Sequence, residues 1–195
     1  MGRFPKTSIS LDPMPHNQSL DSALFLAVDL DDSGEVRRLV AAGARLGSRD
    51  ANGATPLIAA ACAGSENAIE ALLSSGAGLD DVDHGGESAL IKASRHSHLS
   101  CLRLLLDAKP ALDLQGFANG WTALHWAGSR GNVPAALLLI EAGCLMGYPF
   151  AKDGPLPIHG AMPLAKDPEF WPMMTAYREQ LFPSRPLSRR KAISA

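Results

Sequence analysis

This chain repeats itself, and that constrains its fold more than anything else. NGATPLIAAACAGSENAIEALLSSGA from Asn52, GGESALIKASRHSHLSCLRLLLDAKP from Gly85 and NGWTALHWAGSRGNVPAALLLIEAGC from Asn119 align residue by residue. Thr55, Ser88 and Thr122 stand 33 and 34 positions apart. Stepping back 33 reaches Ser22 in DSALFLAV, and stepping on 34 reaches Leu156 in GPLPIHGAM. The chain therefore reads as four full units and a divergent fifth, near 20–49, 50–82, 83–117, 118–152 and 153–165. A period of this length marks a solenoid, in which no unit can bury its own apolar surface and neighbours must stack.

Each unit carries the same local physics. A glycine turn precedes Thr55, Ser88 or Thr122, whose hydroxyl suits a helix N-cap. A short helix rich in alanine follows (Ala59, Ala60 and Ala61; Ala93; Ala127), and small side chains let neighbouring helices approach closely. A polar turn near Gly64, Ser97 or Gly131 leads to a second helix with an apolar stripe. Those stripes are Ile69, Leu72 and Leu73; Leu102, Leu105 and Leu106; Ala136, Leu139 and Ile140. Pro134 falls at a helix start, where its missing N–H costs nothing. Gly43, Gly76 and Gly143 fall where a closing residue with positive φ is wanted. The predicted fold class is all-α, a stack of helix-turn-helix units joined by short turn or hairpin loops.

These residues resemble the ankyrin-repeat family, whose unit of about 33 residues carries T-P-L-H-x-A. Thr55, Pro56 and Leu57 match that motif in the second unit, and Thr122, Leu124, His125 and Ala127 in the fourth. The resemblance covers roughly residues 20–165. It implies that His125 and His159, at the motif histidine, make structural hydrogen bonds that tie one unit to the next. Departures carry information too. Asp21 replaces the turn glycine of unit one, and Asp29, Asp31, Asp32 and Ser33 suit a capping repeat with a wet outer face. Unit three has Lys109 and Pro110 where Gly and Ala would stand, and one extra residue before Gly120 alters that loop.

Outside the stack, residues 1–19 read as a disordered polar leader, and PSRPLSRRKAISA (183–195) as a basic disordered tail. Residues 166–182 form an amphipathic run through Phe170, Met173, Met174, Tyr177 and Leu181. That run is either a cap on the open end of the stack or a docking helix.

Little in the chain looks like chemistry. HSHLSC places His96, His98 and Cys101 close in sequence, but a zinc site needs a fourth ligand in tetrahedral geometry, so no metal is expected. No GxGxxG or GxxxxGK loop occurs, no nucleophile and base pair by spacing, and no cofactor or small-molecule substrate is evident. With 18 basic and 20 acidic residues among 195, the charge balance speaks against nucleic acid. No apolar run is long enough to span a membrane, and MGRFPKTSIS lacks a signal core. Three cysteines with no paired spacing fit a reducing compartment, the cytoplasm, with the nucleus as alternative.

What remains is recognition by surface. In ankyrin-like stacks the turn tips and the outward side of the first helices line a concave groove. Carried over unit by unit, this makes Glu87, Lys92, Arg95, His96, Trp121, Trp126, Ser129 and Arg130 the candidate partner-binding residues. Thr55, Ser88, Thr122, His125 and His159 are read as the structural motif. The implied partner is another protein presenting an apolar segment beside Asp or Glu, because Trp and Arg are enriched at binding hot spots. The function expected is a non-catalytic adaptor, scaffold or inhibitor. The alternative is a targeting subunit that delivers a client to an enzyme complex through its C-terminal segment.

Overall fold

A computed structural model describes residues 16–118 and 120–144. Eight helices pair in order: α1 (His16–Asp29) with α2 (Ser33–Ala41), α3 (Pro56–Ala63) with α4 (Glu66–Ser74), α5 (Ala89–Arg95) with α6 (Leu99–Asp107), and α7 (Ala123–Ser129) with α8 (Val133–Glu141). The first helices pack in sequence, α1 on α3 on α5 on α7, and the second helices form a parallel layer, α2 on α4 on α6 on α8. Among the described residues no strand forms; one bridge joins Val82 and Ser88. The fifth unit with His159, the 166–182 run and the 183–195 tail lie outside the described residues. Helix α1 begins at His16, inside the stretch expected to be a disordered leader.

The repeat is a packing repeat. Leu24, Leu57, Leu90 and Leu124 occupy one position, Ala27, Ala60, Ala93 and Ala127 the next layer, and Leu39, Leu72, Leu105 and Leu139 the second helices. All but Leu124 are buried, and Leu124 packs partly buried against the core. A fully buried leucine contributes about 2 kcal/mol by leaving water, so each unit adds the same increment to the stack. Alanine sits where the first helices come closest, since a longer side chain would hold the backbones apart.

Caps set the helix boundaries. Thr55 Oγ1 accepts from the Ile58 N–H and Ser88 Oγ from the Ile91 N–H, both at 3.4 Å. Asp32 caps α2 through Glu35 N–H at 2.9 Å, and Asn132 caps α8 through Ala135 N–H at 3.1 Å. His125 Nδ1 accepts from Thr122 N–H at 3.3 Å and lies 2.8 Å from Thr122 Oγ1. Those bonds lie inside unit four, whereas the resemblance implied a bond between units. An imidazole that does bridge units is His98, whose Nε2–H donates to the Cys62 carbonyl at 3.1 Å while its ring covers Gly64.

Other ties link successive units. Asp31 accepts from Asn67 Nδ2 and Ala68 N–H, each at 2.8 Å, so this acid of unit one serves α4 rather than a wet face. Arg49 Nη1 donates to the carbonyls of Gly53 and Val82 at 2.7 and 2.6 Å. Ser94 Oγ donates to the Ala123 carbonyl at 2.5 Å. Asp21, where a turn glycine was wanted, lies within α1 and is buried, accepting from Arg45 N–H and Nε–H at 2.8 Å each.

The hairpin tips rest on one another. Asp50 Oδ1 accepts from Asn52 and Ala54 N–H, and Asp83 Oδ1 accepts from Gly85 and Glu87 N–H, the same turn one unit apart. The extra residue of unit four's tip widens that turn, so Gly116 N–H donates to the Trp121 carbonyl. The widened tip leans back on its predecessor: Phe117 N–H donates to the Gly85 carbonyl at 2.7 Å. The Phe117 ring covers Gly86, where any Cβ would overlap it, yet Phe117 stays 75% exposed.

Every positive-φ residue falls on the repeat: 31, 64, 97 and 131 after the first helices; 43, 76, 109 and 143 after the second; 53, 86 and 120 at the tips. Lys109 (φ 59) takes the closing position that is glycine in the other units. A side chain there costs about 1 kcal/mol, partly offset by the extra freedom glycine would bring to the unfolded chain. Lys109→Gly is expected to raise stability by about 0.5 kcal/mol. An upward shift of the urea midpoint with an unchanged slope would bear this out.

Candidate functional site

Helix geometry sets which first-helix side chains can face outward. Positions four, seven and eight after Thr55, Ser88 or Thr122, and after their counterpart Ser22 within α1, share one face. They are Leu26, Asp29 and Leu30 in unit one; Ala59, Cys62 and Ala63 in unit two; Lys92, Arg95 and His96 in unit three; Trp126, Ser129 and Arg130 in unit four. The framework positions two and five keep Leu and Ala in all four units, while these three change completely.

Unit three turns its charge inward. Lys92 Nζ lies 2.7 Å from Asp83 Oδ2 and 2.5 Å from Glu87 Oε2. Arg95 Nη1 meets both oxygens of Glu87, at 2.8 and 3.1 Å. Burial pushes the Asp83 carboxyl up, but Lys92 and the N–H groups of Glu87 and Gly85 outweigh it, and its pKa falls below the ordinary value. Burial also disfavours the Lys92 ammonium, yet Asp83 and Glu87 hold its pKa above the ordinary value. Two cations and two carboxylates therefore cancel. Glu87 is buried and the Lys92 side chain is only 15% exposed, so neither presents the surface expected of a partner-binding residue.

The aromatic residues continue this cluster into unit four. The Arg95 guanidinium lies 4.6 Å from the centroid of the Trp126 ring, a cation–π distance. Trp121 meets Trp126 edge-to-face at 4.8 Å and stacks against His125 at 6.4 Å. Both tryptophans are half-buried. Arg95 Nε and Trp126 Nε1 are buried without a hydrogen-bond partner. Ser129 Oγ donates to the Trp126 carbonyl at 3.1 Å, closing the helix end. Arg130 is exposed and makes no ion pair among the described residues.

His96 stands on the boundary between units two and three. Its Nε2 is 3.6 Å from Cys62 Sγ, and its ring lies 6.0 Å from that of His98. Burial and the nearby charges of Arg95, His98, Lys92 and Arg130 hold its pKa below the ordinary histidine value. The His96–His98–Cys101 cluster suggested by sequence does not assemble: Cys101 is buried in α6, and burial pushes its thiol up to about 11. Among the described residues no group of three His, Cys, Asp or Glu could hold a metal ion. No described helix is long and apolar enough to cross a membrane.

A stack of helix pairs on a 33-residue period, capped by Thr or Ser, agrees with the family comparison. The family model for ankyrin repeats (3 copies) matches residues 10–84 and again 77–149. The chain belongs to the ankyrin-repeat family. Ankyrin repeats are generally protein–protein interaction modules and are typically non-catalytic. A search of the curated proteins found no match to this chain.

The ankyrin frame shows what sequence missed on the outward face. Leu26 and Leu30, one turn apart at the C-terminal end of α1 and just beyond it, are 60% and 70% exposed, where a wet polar face was expected. Their signal was available: both fall on outward positions of the repeat, 33 residues before Ala59 and Ala63. The salt cluster left no such trace, because Asp83 lies in a turn and its pairing with Lys92 depends on how the tip folds back over α5.

Two outcomes follow from this electrostatics. Lys92→Met removes one cation from between two buried carboxylates and is expected to cost on the order of 2 kcal/mol in urea unfolding, the lower end for a broken buried pair because the cluster keeps some solvent. Burial holds the His125 pKa below the ordinary 6.5, and burial together with nearby positive charge does the same for His96. The unfolded chain then binds more protons near and below that value, so stability falls as pH drops from 7 to 5. Thermal melts across that range should show the fall, with a shallower slope in His125→Gln, which still reaches back to the Thr122 N–H.

Proposed function

We propose that this chain is a non-catalytic protein-interaction module, an adaptor, scaffold or inhibitor, that takes a partner protein on the concave side lined by its first helices. One observation carries the reading: four units share a leucine and alanine framework, while their outward first-helix positions hold four unrelated sets of side chains. Packing dictates the first group and leaves the second free for recognition.

The partner presents an apolar segment with acidic residues. Arg130 supports this, as an exposed cation with no ion pair among the described residues, beside the half-buried Trp121 and Trp126. Lys92 and Arg95 contribute through shape more than through charge, since Asp83 and Glu87 neutralise them. The chain acts in a reducing compartment, the cytoplasm or the nucleus, in keeping with the free thiols Cys62, Cys101 and Cys144.

Affinity capture tests the surface. Wild type is compared with Trp121→Ala/Arg130→Glu on the first-helix face and with Arg37→Glu/Arg103→Glu on the exposed second-helix side. Proteins held by wild type and by the second-helix variant, but lost from the first-helix variant, are the expected result. Capture that ignores the first-helix changes, or that disappears only with the second-helix changes, would overturn the reading.

A further inference from the structure

The outward strip of first-helix positions has a direction that a simple basic groove lacks. At its start Leu26 and Leu30 stand exposed one turn apart, and the positions one unit along are Ala59 and Ala63, too small to cover them. Between the leucines lies Asp29, the last residue of α1, exposed and without an ion pair among the described residues. A carboxylate at a helix C-terminus opposes the helix dipole, so folding gains nothing from it there. In the middle, the charges of Lys92 and Arg95 are cancelled by Asp83 and Glu87. At the far end of the described strip, Arg130 carries a positive charge that no described residue pairs with. Read along the stack, the strip is apolar with a carboxylate, then small, then neutral, then cationic.

We infer that the strip receives an amphipathic segment of a partner protein, with a Lys or Arg and its apolar side chains grouped at one end and an Asp or Glu at the other. The apolar group covers Leu26 and Leu30 over the Ala59 and Ala63 floor. The cation meets Asp29, and the carboxylate meets Arg130. Leu30 and Arg130 are three helix spacings apart, roughly 24–30 Å. An extended segment spans that with about eight or nine residues, and a helix with roughly 16–20. The inference rests on the proposed interaction function and specifies the partner's chemistry and polarity.

The test pans a display library of random 20-residue peptides on the full chain. The strongest binder, labelled with a fluorophore, is then titrated against variants by anisotropy. Enriched peptides should group basic and apolar residues in one half and acidic residues in the other. Leu26→Gln/Leu30→Gln should weaken binding at least about tenfold, as loss of an apolar anchor does. Arg130→Glu should weaken it similarly, and a peptide with its acid changed to lysine should recover the loss on Arg130→Glu alone. Circular dichroism melts of each variant should match wild type, because all three residues are exposed.

Peptides without that charge order, or binding indifferent to both sets of changes, overturn the inference. Binding that maps to Trp121 and Trp126 alone overturns it while leaving the interaction function standing. Binding that Arg103→Glu abolishes overturns both. Failure to enrich any peptide also overturns the inference, and the capture comparison then decides the function by itself. Self-association that Leu26→Gln/Leu30→Gln removes would make the strip a face between two copies of the chain, and so overturns it too.

Discussion

A helix pair of this sequence has apolar surface on both of its sides, and only another pair can cover it. Leu57 and Ala60 of α3 need α1 before them and α5 after them, and the same holds for Leu90 and Ala93 of α5. Because the demand is identical at each step, it fixes the spacing, the hand-over from cap to helix and the places where the backbone must turn left-handed. The positive-φ series at 64, 97 and 131 shows how strict this is. Ser97 accepts an unfavourable backbone there because the stack will not move to accommodate it.

The same demand explains which parts of the molecule could be read from sequence. Cap residues, the leucine and alanine framework and the helix order all follow from local rules applied on a fixed period, and they were legible in Thr55, Leu72 and Ala93. Asp21 was not, because nothing local says that a carboxylate in α1 will take the Arg45 N–H, 24 residues away. His98 was opaque for a similar reason. Nothing local to HSHLSC shows that the His98 ring crosses to unit two and lies over Gly64, where only glycine leaves room.

The outward face was half legible. Period alone places Arg95, His96, Trp126 and Arg130 on it, and the structure puts Arg95 over the Trp126 ring and leaves Arg130 exposed. Period could not show whether a charge on that face is free. Lys92 and Glu87 counted as surface in the sequence, yet the tip of unit three folds Asp83 and Glu87 against α5 and turns a basic patch into a neutral one. Formal charge therefore overstated the attraction of unit three for an acidic partner.

Units one and two stack without any such cluster, with Leu26 and Asp29, then Ala59 and Cys62, at the positions of Lys92 and Arg95. The ion quartet of unit three is thus not a requirement of the fold. It also leaves Arg95 Nε and Trp126 Nε1 buried without acceptors, and each unsatisfied donor costs about 1–3 kcal/mol. What the quartet does is hold the Arg95 guanidinium over the Trp126 ring, 4.6 Å from its centroid, and so orient the indole against Trp121. The two oxygens of the Glu87 carboxylate pin one end of the guanidinium, the ring pins its face, and the side chain loses the rotamer freedom that an unpaired arginine would keep. A surface ordered before contact gives up less entropy on binding than a mobile one. The central part of the described outward face is ordered for that reason, and the exposed Leu26, Leu30 and Arg130 lie on either side of it.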